Sequence, residues 1–216
     1  GTADLDGGAL MNQASHYIDL IHWLGGPVKS IQCMSSTFLN IDVEDTAVLN
    51  VKWANGTIGS MSVTMLTYPE NLEGSVTVLG EKGSAKIGGV ACNKIEVWDF
   101  KDVDEKQIDL NNLNYLPKTV YGNGHLSLYK KIADNKALNL PPPITAIDGL
   151  STLEIIIAAY QSAEKDGKTI ELPIKNFKYS RNGNELLGST NIRSIGLVAY
   201  GKDFSAQLDI AGIELY

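Results

Sequence analysis

The sequence predicts an α+β fold: a mostly antiparallel open sheet with helices on one face, plus a C-terminal β extension. Three observations carry that expectation. Along the chain, one helical stretch is followed by a run of extended segments and then by two more helical stretches. The extended segments are joined by short Gly-containing turns, Asn55-Gly56 and Gly80-Glu81-Lys82-Gly83, which suit antiparallel neighbours and leave no room for crossover helices. With 216 residues, 44% hydrophobic and 20% charged, the chain has a globular composition and enough length for one large domain or two small ones.

The first helix is marked at both ends, by Gly7-Gly8 before it and Gly25-Gly26-Pro27 after it. At about 100° per residue, Leu10, Ala14, Tyr17, Ile18, Ile21 and Leu24 gather on one face. Asn12, His16, Asp19 and Trp23 form a stripe opposite. No Lys, Arg or Glu falls between Gly7 and Gly26. A polar stripe without long charges suits the lining of a pocket better than a solvated face.

Residues 28–39, 45–52 and 57–67 read as strands, the last two forming the Asn55-Gly56 hairpin. Residues 76–79 and 85–87 flank the Gly80–Gly83 turn, and Lys94–Phe100 is a further strand. The Asn-rich stretch 101–118 reads as a loop. Residues 126–136 and 146–165 read as helices, the second burying Leu150, Leu153, Ile156, Ile157 and Tyr160 and stopping at Gly167. Residues 169–172 form a short strand. We place the boundary after Pro173, giving residues 1–173 as the main domain and 174–216 as an appended β-rich segment. Forty-three residues are too few for a sandwich of their own, so strands at 192–200 and 207–216 are expected to join the main sheet.

A net charge of −7 and a pI near 4.9 argue against nucleic acid or an anionic membrane as the main partner. No secretory signal and no apolar run of about 18 residues is present, so no membrane segment is expected. Cys33 and Cys92 lack metal or redox spacing and read as buried free thiols, which fits a reducing cytoplasm. His22 lies roughly 120° from His16 on the helix, so the two are not a metal pair, and no metal is expected. Glu44-Asp45 reads as a pair of solvated turn charges. Trp98, Tyr200 and Phe204 could stack on a sugar, although aromatic residues in strands are more often core.

The stretch Asp6-Gly7-Gly8-Ala9-Leu10-Met11-Asn12-Gln13-Ala14-Ser15-His16-Tyr17-Ile18-Asp19-Leu20-Ile21-His22-Trp23-Leu24-Gly25-Gly26-Pro27-Val28 resembles the substrate-domain helix of the Gfo/Idh/MocA oxidoreductases. Weaker similarity continues to about Pro173. The Asn-Gln-x-x-His form resembles the sugar-nucleotide branch, whose members oxidise C3 of a UDP-linked 2-acetamido-2-deoxy-glucuronate. The resemblance implies the substrate-binding half of an NAD-dependent dehydrogenase, with a UDP-sugar or other carbohydrate as ligand and subunits that pair through the sheet. No Gly-x-Gly-x-x-Gly follows a strand anywhere in the 216 residues, and in that family the fingerprint lies in an upstream Rossmann domain. The chain is therefore expected to be inactive alone.

His16 is the leading catalytic candidate, because alcohol oxidation needs a base for the hydroxyl proton and an imidazole near neutral pH can take it. The alternative is a histidine hydrogen-bonded in the core. Asn12, one turn earlier, would orient the ring or a substrate hydroxyl; many family members have Asp there, and Asn supplies no charge. Asp19 would supply a carboxylate from the following turn, or a structural hydrogen bond. Gln13 would read a hydroxyl or amide of the sugar, or serve as an interface residue. In Val120-Tyr121-Gly122-Asn123-Gly124-His125, the backbone N–H groups of a Gly turn at a helix start suit an anion such as a diphosphate; an ordinary capped helix end explains the same residues. The family resemblance implies Tyr121 and His125 near substrate, and Asn123 of the same turn is a further substrate-binding candidate.

A second function remains open. Residues 194–204, with Asp209-Ile210 and Ile213-Glu214-Leu215-Tyr216, resemble the last strands of a β-sandwich carbohydrate-binding module. The chain would then be a non-catalytic carbohydrate-binding or scaffold module, or a fusion of two unrelated pieces.

Overall fold

The structure, a computed structural model, describes residues 2, 4–5, 7–101, 114, 116, 124–173 and 192–200. Among these, a π-helical turn at Ala9–Gln13 leads into α1 (Ser15–Gly25), followed by β1 (Val28–Ser36), β2 (Thr46–Trp53) and β3 (Ile58–Thr64). Next come β4 (Glu73–Gly80), β5 (Gly83–Gly88) and β6 (Lys94–Phe100), then α2 (Gly124–Ala137) and α3 (Ala146–Ala163). Short β7 (Ile170–Glu171) and β8 (Ile192–Tyr200) complete the set.

The eight strands form one sheet in the order β6-β5-β4-β8-β3-β2-β1-β7. Every neighbouring pair is antiparallel except β3 with β8, which run parallel. The expected α+β open sheet is thus present. Strand β8 belongs to the segment expected to add strands, and it enters the middle of the sheet, with Met61 facing Leu197 on one side and Val76 facing Leu197 on the other. The strand expected at 207–216 lies outside the described residues.

The hairpins form for the reasons their turns suggest. Gly56 adopts φ +90°, which an L side chain rarely tolerates, while the Asn55 carboxamide oxygen accepts from the Thr57 N–H at 3.0 Å. Along β2, burial alternates strictly: Ala47, Leu49, Val51 and Trp53 face the core, and Val48, Asn50 and Lys52 face out. Tyr17, Ile18 and Ile21 of α1, with Leu10 and Ala14 before it, join those core-facing residues in one buried core, as the helical periodicity predicted. Close approach is allowed at Gly25, where a Cβ would overlap the Trp53 indole.

Helix α3 departs from the expected register. Its buried residues are Ser151, Thr152, Ile155, Ile156, Ala158, Ala159 and Ser162, whereas Leu150 and Ile157 are 50% and 44% exposed. The small residues win because the helix sits close against β1. There the Ser162 hydroxyl accepts from the Cys33 N–H and donates to the Lys168 carbonyl, each at 2.8 Å. Its start is secured by a capping box between Thr145 and Asp148. Helix α2 forms where expected, but buries only Gly124.

Candidate active site

The polypeptide enters the site through an irregular turn. The Ala14 N–H donates to the Ala9 carbonyl at 2.8 Å, a π-type step, and regular α-helical bonding resumes with Ile18 N–H to Ala14 O at 2.8 Å. Such π-turns inside helical segments recur at functional sites. The sequence predicts one continuous α-helix here, with Asn12 stacked over His16 at i, i+4. The wider turn removes that spacing argument: Asn12 is exposed, and Gln13 is buried at 5% exposure.

His16 stands half-buried in the first turn of α1, its ring centroid 4.5 Å from that of Tyr17. Burial disfavours the imidazolium and lowers the His16 pKa to about 4, against the partly compensating negative charge of Asp19. The ring is therefore neutral at pH 7. Asp19 is also half-buried, and one of its carboxylate oxygens accepts from the Thr152 hydroxyl of α3 at 2.9 Å. Thr152 was not singled out from the sequence. It lies 133 positions from Asp19, and no local pattern marks a partner that distant.

The neighbouring titratable groups are unsuited to take a proton. Tyr17 is fully buried, and desolvation pushes its pKa far above the ordinary tyrosine range. The Cys92 thiol lies 3.0 Å from the Gly74 carbonyl and 3.5 Å from the Tyr17 hydroxyl, with its pKa raised to about 11 by burial. Both expected free thiols, Cys33 and Cys92, are buried. His22 sits on the core side, and its Nδ1 donates to the Gly26 carbonyl at 2.9 Å, closing the end of α1.

Two residues read as solvated turn charges are nothing of the kind. Asp45 is 0% exposed and accepts from the N–H groups of Phe38 and Leu39 at 2.7 and 2.6 Å. Glu44 is half-buried and reaches the π-turn, where it accepts from the Leu10 N–H at 2.9 Å. Of the remaining sequence candidates, His125 is exposed in the first turn of α2, while Tyr121 and Asn123 lie outside the described residues. Trp98 is buried and packs beside Phe100, a core placement. Tyr200 belongs to β8 without a described side chain, and Phe204 lies outside the described residues.

Among the described residues, no three or more His, Cys, Asp and Glu side chains converge as a metal site. The Gly80–Gly83 turn joins antiparallel β4 to β5 and is no strand-to-helix phosphate cradle. No helix among the described residues is long and apolar enough to cross a membrane.

A mostly antiparallel open sheet thus carries, on the helix that opens the chain, a half-buried histidine and a carboxylate tethered to Thr152. The family model for the C-terminal alpha/beta domain of the Gfo/Idh/MocA oxidoreductases matches residues 3–172. The chain belongs to that family. Among solved structures it is similar to the WlbA dehydrogenase of Bordetella pertussis, in complex with NADH and UDP-GlcNAcA, at 44% identity and a TM-score of 0.74. That match covers 81% of this chain and 51% of the other. The WlbA enzyme of Chromobacterium violaceum, in the same kind of complex, is 46% identical with a TM-score of 0.72, over 81% and 49% of the two chains. Levoglucosan dehydrogenase with NADH and L-sorbose shares the fold, at 19% identity and a TM-score of 0.61 over 77% and 50%. The chain thus spans about half the length of these relatives. No protein with a curated description matches it significantly.

Proposed function

We propose that this chain is the substrate-binding, catalytic half of an NAD-dependent dehydrogenase acting on a sugar nucleotide at its C3 hydroxyl. The observation that carries the reading is His16, neutral at pH 7 on the helix that matches the relatives, with the carboxylate of Asp19 beside it. Bound NAD supplies a hydride acceptor. His16 takes the hydroxyl proton on a ring nitrogen, and Asp19, steadied by Thr152, stabilises the imidazolium that results. In this proposal Asn12 and Gln13 orient the sugar, and Tyr121, Asn123 and His125 are assigned to substrate binding. Identity of 44–46% with enzymes solved with NADH and UDP-GlcNAcA supports the substrate class.

The division into residues 1–173, the substrate domain, and 174–216, an appended segment, belongs to the same proposal. So does self-association through the open face of the sheet, where Met34 and Ile58 are 65% and 60% exposed. Two buried free thiols fit a cytoplasmic setting. The test is calorimetric titration with UDP-N-acetylglucosamine, its glucuronate form, NAD and a plain oligosaccharide. Sugar-nucleotide binding without NAD, together with no turnover by these 216 residues alone, is the expected result. Binding of the oligosaccharide alone would move the function to the appended segment and overturn the reading.

A further inference from the structure

Gly8, the residue preceding the π-turn, offers no side-chain cap to the turn's N-terminal N–H groups. Glu44 supplies both missing acceptors from the β1–β2 loop. Its backbone carbonyl accepts from the Ala9 N–H at 2.8 Å, and its Oε1 accepts from the Leu10 N–H at 2.9 Å. The same Oε1 accepts from the Tyr160 hydroxyl of α3 at 3.0 Å. A negative charge at the N-terminal end of a helical turn is favourable in its own right.

The loop that presents Glu44 is itself fixed. Buried Asp45 holds the N–H groups of Phe38 and Leu39, and the Met65 N–H donates to the Asp45 carbonyl at 2.9 Å. Gly8 completes the arrangement, because any Cβ there would overlap the Glu44 carboxylate. Three separate elements, the β1–β2 loop, the π-turn and α3, therefore meet at one carboxylate oxygen. The turn it holds carries Asn12 and Gln13 and delivers the chain to His16.

From this junction we infer that Glu44, with Tyr160, is a positioning residue that sets the π-turn and hence the placement of Asn12, Gln13 and His16 for sugar-nucleotide binding. The binding part of this inference rests on the function proposed above. Neither residue touches the reacting atoms in this assignment; both act through the turn.

The test uses the full chain with Glu44→Ala, Glu44→Gln and Tyr160→Phe. Gln keeps an acceptor oxygen at the same place, and Ala keeps none. Expected for Glu44→Ala are at least about tenfold faster exchange of the Leu10 amide, shifted His16 ring resonances, and about tenfold or weaker binding of UDP-N-acetylglucosamine. Glu44→Gln should restore most of each, and Tyr160→Phe should show the same signs at smaller size. Should Glu44→Ala not fold, the Tyr160→Phe and Glu44→Gln pair carries the comparison. A lowered melting temperature with unchanged His16 resonances and Leu10 exchange would reduce the junction to a plain brace and overturn the inference. If the unmutated chain binds no sugar nucleotide, the proposed function fails, and the resonances and exchange still decide whether Glu44 positions the turn.

Discussion

Lowering the pH from about 7 to about 5.5 should weaken the fold by roughly 1 kcal/mol through His16 alone. The sign follows from where the proton goes. Unfolded, the imidazole titrates near its model value of 6.5; folded, burial lowers it to about 4. Above 6.5 both states are neutral and His16 contributes nothing to the pH slope. Between 6.5 and 4 the unfolded chain binds a proton that the folded chain refuses, so stability falls as the pH falls. Over that whole window the difference of about 2.5 units amounts to about 3 kcal/mol, of which roughly 1 kcal/mol has gone by about pH 5.5. The assay is urea unfolding of the chain and of His16→Gln across this range. Every other titratable group is common to both proteins, so the difference between the curves isolates His16. Parallel curves would mean that His16 is solvated, and the argument for a neutral, desolvated base would collapse.

Asp19→Asn removes the charge that partly restores the imidazolium, so the His16 pKa should fall further below 4, as read from its ring resonances. Thr152→Val, which leaves the Asp19 carboxylate without the hydroxyl donor 2.9 Å away, should cost about 1–3 kcal/mol in urea unfolding. Ser162→Ala strips the acceptor from the buried Cys33 N–H and should cost about 1–3 kcal/mol, while leaving His16 resonances in place. Gly8→Ala forces a Cβ into the Glu44 carboxylate and should destabilise by about 1–3 kcal/mol with faster exchange at Leu10.

Local signals in the sequence reached as far as local physics does. The helical periodicity of Leu10, Ala14, Tyr17, Ile18 and Ile21 identified the core face of the first helix, since each is fully or nearly fully buried. The Asn55-Gly56 turn identified the β2–β3 hairpin because its backbone demands a positive φ. At α3 periodicity held for Ile156 and for Tyr160, which packs against the core, and failed for Leu150, Leu153 and Ile157, for a physical reason. Leu150, Leu153 and Ile157 carry the larger hydrophobic surface, but Ser151, Ala158, Ala159 and Ser162 allow the helix to lie against β1. Side-chain volume at the contact outweighed hydrophobicity, and a scale that counts only apolar character cannot register that.

The site shows the same limit more sharply. His16 and Asp19 could be proposed together from the sequence because they fall on one short stretch, and a helix makes neighbours of residues a few positions apart. What governs them was not legible. Asp19 is steered by Thr152, and the π-turn is held by Glu44 and Tyr160, all brought in by the folded topology. Glu44-Asp45 in sequence is two acidic residues in a loop, a pattern that solvation explains at no cost. Only the fold buries Asp45 completely and points Glu44 at N–H groups that Gly8 cannot cap. A carboxylate between two strands becomes a determinant of a helix because that helix begins irregularly, and a π-turn leaves no trace in a 3.6-residue pattern. Where a candidate catalytic helix begins at a glycine pair with no capping side chain, an acidic residue elsewhere in the chain should be sought as its cap before it is dismissed as surface.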